Sequence, residues 1–134
     1  MTPDNERCAR VLVVEDETMI AMLIEDVLAD LGYEVVGPAG KLASALQLAR
    51  EERIDAAILD VTIRGGQVFP VADILRERGI PFVLASGYGA WTLPDTYKGV
   101  PLLQKPFSAG QAANAIAAIC RPQASSASAN DPPD

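Results

Sequence analysis

Apolar and polar positions alternate along the chain in two distinct periods. Arg10-Val11-Leu12-Val13-Val14 is a β-branched run that predicts a buried strand. It ends on Glu15-Asp16-Glu17. From Thr18 to Leu31 the apolar residues recur at helical spacing (Met19, Ile20, Leu23, Ile24, Val27, Leu28, Leu31), with Asp16 as the expected cap and Gly32 as the stop. Tyr33-Glu34-Val35-Val36 predicts a second strand, closed by Gly37-Pro38. Leu42, Ala45, Leu46, Leu48 and Ala49 mark an amphipathic helix between Lys41 and Glu52. Ile54 to Asp60 is a third strand, ending on a carboxylate, and Thr62 to Gly66 reads as a loop. Pro70 lies early in a helix that runs to about Arg78, where a missing N–H is harmless. Pro81-Phe82-Val83-Leu84-Ala85 is a fourth strand, ending on Ser86-Gly87-Tyr88-Gly89. Ala90 to Lys98 has weak helical periodicity and predicts a short or frayed helix. Val100 to Gln104 is a fifth strand, ending on Lys105-Pro106-Phe107. Ser108 is the expected cap of a last helix from Ala109 to about Ile119.

Strands alternating with helices predict an α/β fold with a parallel sheet, right-handed crossovers and helices on both faces. Length narrows this further: 134 residues hold one core and not two. The expected domain is 8–120. Residues 121–134 turn to Ser, Ala, Asn, Asp and Pro, the composition of a disordered tail.

Charge and composition exclude several chemistries. The formal net charge is -7 and there is no histidine. A basic stripe for direct nucleic-acid binding is therefore not expected, and a Ser-His-Asp triad or histidine metal ligands are ruled out. Cys8 and Cys120 lack motif spacing and fit a reduced intracellular protein. The N-terminus is polar, so no signal peptide is expected, and no apolar run reaches the ~20 residues that span a bilayer. A cytoplasmic protein without a membrane partner is the expectation.

In a parallel sheet all strand C-terminal ends share one edge, where ligands bind. Glu15, Asp16, Asp60, Ser86 and Lys105 all fall there. Each alone is ordinary: an acidic pair is often a helix cap, Ser before Gly a turn residue, and Lys a solvated charge. Together they suit phosphoryl chemistry on a carboxylate. Three carboxylates can hold a hard cation such as Mg²⁺, and without one they repel. A Lys ammonium and a Ser hydroxyl can bind phosphoryl oxygens. Asp60 is then the nucleophile.

These residues resemble the response-regulator receiver domains of two-component signalling. The motifs are Val11-Leu12-Val13-Val14-Glu15-Asp16-Glu17, Leu59-Asp60, Ala85-Ser86 and Lys105-Pro106-Phe107, in the family's order and spacing over roughly residues 10–120. The resemblance implies a five-stranded flavodoxin-like sheet of order 2-1-3-4-5. It implies Mg²⁺-dependent acceptance of a phosphoryl group from a phosphohistidine on a sensor histidine kinase or phosphotransfer protein, with slow later hydrolysis rather than ordinary enzyme turnover. By position, Asp60 matches the phosphoacceptor, Asp16 the direct metal ligand, Glu15 the acid acting through water, and Thr62 the backbone carbonyl ligand. Ser86 and Lys105 match the groups that contact the phosphoryl oxygens. Lys105-Pro106 is expected as a cis peptide.

The chain departs from the family pattern at two places. Leu102 stands where the family's aromatic switch residue is usual, and Arg64 where many members have proline. Residues 81–88 are similar instead to an atypical subgroup nicknamed FAT GUY, whose fourth helix tends to be poorly ordered and whose members often pair with kinases of the HWE or related type. Tyr88 then stands beside Ser86 and Leu102 as a switch candidate. A downstream protein partner is expected on the face of the fourth helix, fifth strand and fifth helix, with Trp91, Leu93, Val100, Ala112, Ala113 and Ile116 as candidates. The alternative is a pseudo-receiver that binds a partner without phosphorylation. A small phosphatase is disfavoured, because Thr62 occupies the place of its second acid. A dinucleotide binder lacks its Gly-rich fingerprint.

Overall fold

The computed structural model describes residues 9–120; the expected start at Cys8 and the expected tail 121–134 lie outside the described residues. In chain order the elements are β1 (Arg10–Val14), α1 (Thr18–Asp30), β2 (Glu34–Ala39), α2 (Leu42–Glu51), β3 (Ala56–Asp60), β4 (Thr62–Ile63), β5 (Gly66–Gln67) and α3 (Phe69–Glu77). They continue with β6 (Phe82–Ser86), two 3₁₀ turns (Ala90–Thr92 and Asp95–Tyr97), β7 (Leu102–Gln104) and α4 (Ala109–Ile119). Five strands form one parallel sheet of order β2-β1-β3-β6-β7. This is the 2-1-3-4-5 order that the resemblance implied.

Alternation along each strand divides the core in two. Leu12, Val14, Ala57, Leu59 and Leu84 face α2 and α3. Val11, Val13, Ala56, Ile58, Val83 and Ala85 face α1 and α4. Every residue of β3 and β6 is buried, as expected for strands covered on both faces. Each large aliphatic side chain withdrawn from water in this way contributes about 1.5–3 kcal/mol.

Helix ends show where local chemistry decided. Ser108 caps α4 in a reciprocal box: its Oγ accepts the Gln111 N–H at 3.1 Å, and Gln111 Oε1 accepts the Ser108 N–H at 2.8 Å. Ser108→Ala is expected to cost about 1 kcal/mol, measured as a lower urea midpoint at unchanged slope. At α1 the expected cap was Asp16, but the N-cap is Glu17, and it makes no side-chain cap bond. Asp16 is instead gathered with two other carboxylates at the sheet edge.

Three further expectations are corrected. β2 does not stop at Val36: Gly37 takes φ +97°, the Gly37–Pro38 peptide is cis, and the strand runs on so that the Ala39 carbonyl accepts the Glu15 N–H at 2.9 Å. The stretch 62–66 is part of a small antiparallel hairpin, turned by Gly65 at φ +96°. The Arg64 carbonyl in that turn accepts the Leu42 N–H at 2.8 Å, docking it on α2. Cys120 is disulfide-bonded, against the expectation of a reduced chain.

The stretch 90–98 forms two 3₁₀ turns in place of a helix, interrupted by Pro94. Tyr97 pins it down. Its ring stacks on Phe69 at 5.2 Å, tilts against Phe82 at 6.2 Å and lies under the Arg76 guanidinium at 4.5 Å. Its hydroxyl donates to an Asp73 carboxylate oxygen. Burial, then the Asp73 partner, push the phenol up to about 12. Among the described residues, no helix is long and apolar enough to cross a membrane.

Candidate functional site: an acidic pocket closed by a lysine

The C-terminal ends of β1, β3, β6 and β7 deliver the expected residues to one edge. β1 and β3 are paired with Val14 opposite Leu59, which sets Glu15 beside Asp60. Carboxylate oxygens of Glu15, Asp16 and Asp60 all lie within 4.8 Å of one another. Glu15 and Asp60 are only 3% and 5% exposed.

Lys105 enters this pocket from the loop after β7, where the Lys105–Pro106 peptide is cis as expected. The Lys105 N–H donates to the Ser86 carbonyl at 2.8 Å, anchoring the loop. Its Nζ lies 3.0 Å from Asp60 Oδ2, 3.3 Å from Glu15 Oε2 and 3.1 Å from Glu17 Oε1. Glu15 Oε1 is 3.2 Å from the same ammonium but accepts no hydrogen bond from it or any other group.

These distances set the charge states. Burial, and then the adjacent Asp60 carboxylate, push Glu15 up to about 7. Burial also disfavours the Lys105 ammonium, but Asp60, Glu15 and Glu17 more than offset it and hold its pKa above the usual lysine value. An all-oxygen donor set with one buried, unbonded carboxylate oxygen fits a hard divalent cation such as Mg²⁺.

The other expected residues are arranged less completely. Thr62 donates its N–H to Asp60 Oδ1 at 3.4 Å. Ser86 is buried at the end of β6, and its hydroxyl accepts the Tyr88 N–H at 3.0 Å, so it bonds within its own loop. The Tyr88 side chain is 69% exposed. Leu102 pairs with Leu84 and packs against the α2–α3 core.

Of the expected partner-face residues, Trp91 is 78% exposed, whereas Leu93, Ala112 and Ile116 are buried core. Val100 and Ala113 are partly buried. Leu93, Ala112 and Ile116 are thus withdrawn as surface candidates, because helical spacing alone does not tell which stripe faces inward. Sequence reasoning assigned no role to Glu17 or Tyr97. Glu17 stood in the acidic run, but its reach to Lys105 is a contact 88 residues apart.

Comparison with known proteins agrees with this geometry. Residues 11–117 match the family model for the response regulator receiver domain. The chain is 33% identical over 103 residues to the transcriptional regulatory protein PdtaR of Mycobacterium tuberculosis, covering 74% of this chain and 50% of that protein. It is 30% identical over 118 residues to the phyllosphere-induced regulator PhyR of Methylorubrum extorquens, covering 85% and 43%. The chain thus spans about half the length of these curated relatives. The solution structure of SdrG from Sphingomonas melonis Fr1 is 43% identical with a TM-score of 0.74, covering 84% of this chain and 96% of that one. The BeF3-activated conformation of SdrG is 44% identical with a TM-score of 0.70, covering 83% and 95%. With the sheet order, the gathered acids and the inserted lysine in place, the family match over 11–117 makes the chain a member of the response regulator receiver domain family of two-component systems.

Proposed function

We propose that this receiver domain is a phosphorylation switch whose acceptor is Asp60. The observation that carries the reading is the Lys105 ammonium 3.0 Å from Asp60 Oδ2, inside a pocket of three converging carboxylates. Asp60 attacks the phosphorus of a phosphohistidine on a sensor histidine kinase or phosphotransfer protein. An O–P bond forms and the P–N bond breaks with its electron pair left on nitrogen; the phosphohistidine ring, protonated on its other nitrogen, leaves as neutral imidazole. Lys105 neutralises charge on the transferred group. Ser86 reaches the group once its hydroxyl leaves the Tyr88 N–H, with Tyr88 and Leu102 as switch positions.

Glu15, Asp16, Asp60 and the Thr62 carbonyl are the proposed metal ligands. Mg²⁺ bound there would screen the acids from the incoming phosphoryl oxygens. The 3₁₀ turns at 90–97 and the sequence 82–88 support kinship with the FAT GUY subgroup and a kinase of the HWE type. A downstream protein partner belongs to the same proposal, as does a cytoplasmic setting, which rests on the receiver family and not on the cysteines, since Cys120 is disulfide-bonded.

Incubation of the full chain with acetyl phosphate and Mg²⁺ tests the reading. One added phosphoryl group, labile to hydroxylamine as an acyl phosphate is, supports it. A chain that stays unlabelled overturns it in favour of the pseudo-receiver, for which Leu102 at the switch position is the favouring observation.

Cation binding should also depend on pH. A carboxyl raised from 4.5 to about 7 on folding contributes stability that is fully present below pH 4.5 and lost as pH rises through about 7. The metal-free protein is therefore expected to lose stability over that window. Mg²⁺ is expected to raise the melting midpoint more at about pH 8 than at about pH 5.5, where a proton occupies Glu15. Thermal melts with and without Mg²⁺ at the two pH values check this.

A further inference from the structure

Lys105 has one carboxylate partner that the chemistry above leaves without a role. Its Nζ is 3.1 Å from Glu17 Oε1, and Glu17 is not among the three acids that converge. Glu17 is the N-cap of α1, yet its side chain makes no cap bond, so the helix end does not use this carboxylate. The Glu17 side chain is 62% exposed and that of Lys105 16% exposed, so the pair straddles the rim of the pocket.

A divalent cation and an ammonium cannot share the same carboxylates without strong repulsion. When the cation enters, the ammonium must shift. A lysine released into water loses its place beside Asp60 and pays side-chain entropy to return. Glu17 offers a seat at the pocket edge, already within hydrogen-bonding distance.

We propose that Glu17 is a positioning residue: it holds the Lys105 ammonium at the rim while a divalent cation occupies Glu15, Asp16 and Asp60. It thereby eases cation entry and keeps the ammonium within reach of a group on Asp60. The inference rests on the Mg²⁺-dependent reading of the site.

The test is a double-mutant cycle on Mg²⁺ affinity, measured by calorimetry on the full chain. The proteins are the parent, Glu17→Gln, Lys105→Met and the double variant, with Asp16→Asn as a reference. Glu17→Gln is expected to weaken Mg²⁺ binding by about two- to fivefold, the size of a partly exposed ion pair. In the Lys105→Met background the same change is expected to have no effect, because the ammonium it serves is gone. Equal weakening in both backgrounds, or none in either, overturns the proposal. Failure of the underlying reading looks different: the parent and Asp16→Asn would then bind Mg²⁺ alike. Circular dichroism on each variant establishes that the fold is retained.

Discussion

Asp60→Asn is expected to take up no detectable phosphoryl group from acetyl phosphate, while melting in one cooperative step within roughly 2 kcal/mol of the parent. Asparagine fills the same buried space at the end of β3, and its carboxamide oxygen can accept the Thr62 N–H as Asp60 Oδ1 does. It is not a carboxylate nucleophile, so the acyl phosphate has nowhere to form. Lys105 keeps Glu15 and Glu17 as partners, which limits the loss of stability. The substitution has a second readout. Asp60 is one of the groups that raise Glu15 to about 7, so removing its charge is expected to lower the Glu15 pKa, visible in a side-chain carboxyl titration by NMR. Labelling of the Asn variant at the parental rate would contradict the acceptor assignment.

Gly37→Ala is expected to be the most damaging single-methyl change in β2. A Cβ at this position would stand 2.8 Å from the Ala39 nitrogen and 2.9 Å from the Val13 carbonyl oxygen. Both are backbone atoms, so neither can rotate away. The backbone at Gly37 also has φ +97°, which disfavours any L side chain. Backbone strain of about 1–3 kcal/mol and overpacking of about 1–3 kcal/mol together predict a loss of about 2–6 kcal/mol. The damage should reach the site, because Ala39 accepts the Glu15 N–H. Thermal melts with and without Mg²⁺ are expected to show a lower midpoint and a smaller cation response. A variant as stable as the parent would refute this account of the bend.

The parts of the fold and site that could be read from the residues depend on local pattern or on a topological rule. β1, β3 and β6 are apolar runs whose burial follows from composition, and the parallel rule brings Glu15, Asp60, Ser86 and Lys105 to one edge. The Ser108 box is encoded within four residues. What escaped depends on contacts between distant segments. Tyr97 is buried only because Phe69, Phe82 and Arg76 converge on it from α3 and β6. The place of Asp16 beside Asp60 is not legible locally, because the two carboxylates that meet at the sheet edge are 44 residues apart in the chain. The continuation of β2 through Gly37–Pro38 runs against the usual reading of that dipeptide as a stop. The burial of Leu93, Ala112 and Ile116 is not legible in their spacing, which does not reveal which side of an element is inside.

The 3₁₀ turns that Tyr97 and Leu93 secure have a spectroscopic consequence. Trp91 is the sole indole in the chain, and it projects into solvent from those turns, five residues past Ser86. Its emission therefore tracks the loop rather than the interior. In the native protein the emission is expected near the wavelength of indole in water, with acrylamide quenching it readily. A blue shift on adding a binding partner would then locate that partner at this loop without any attached dye.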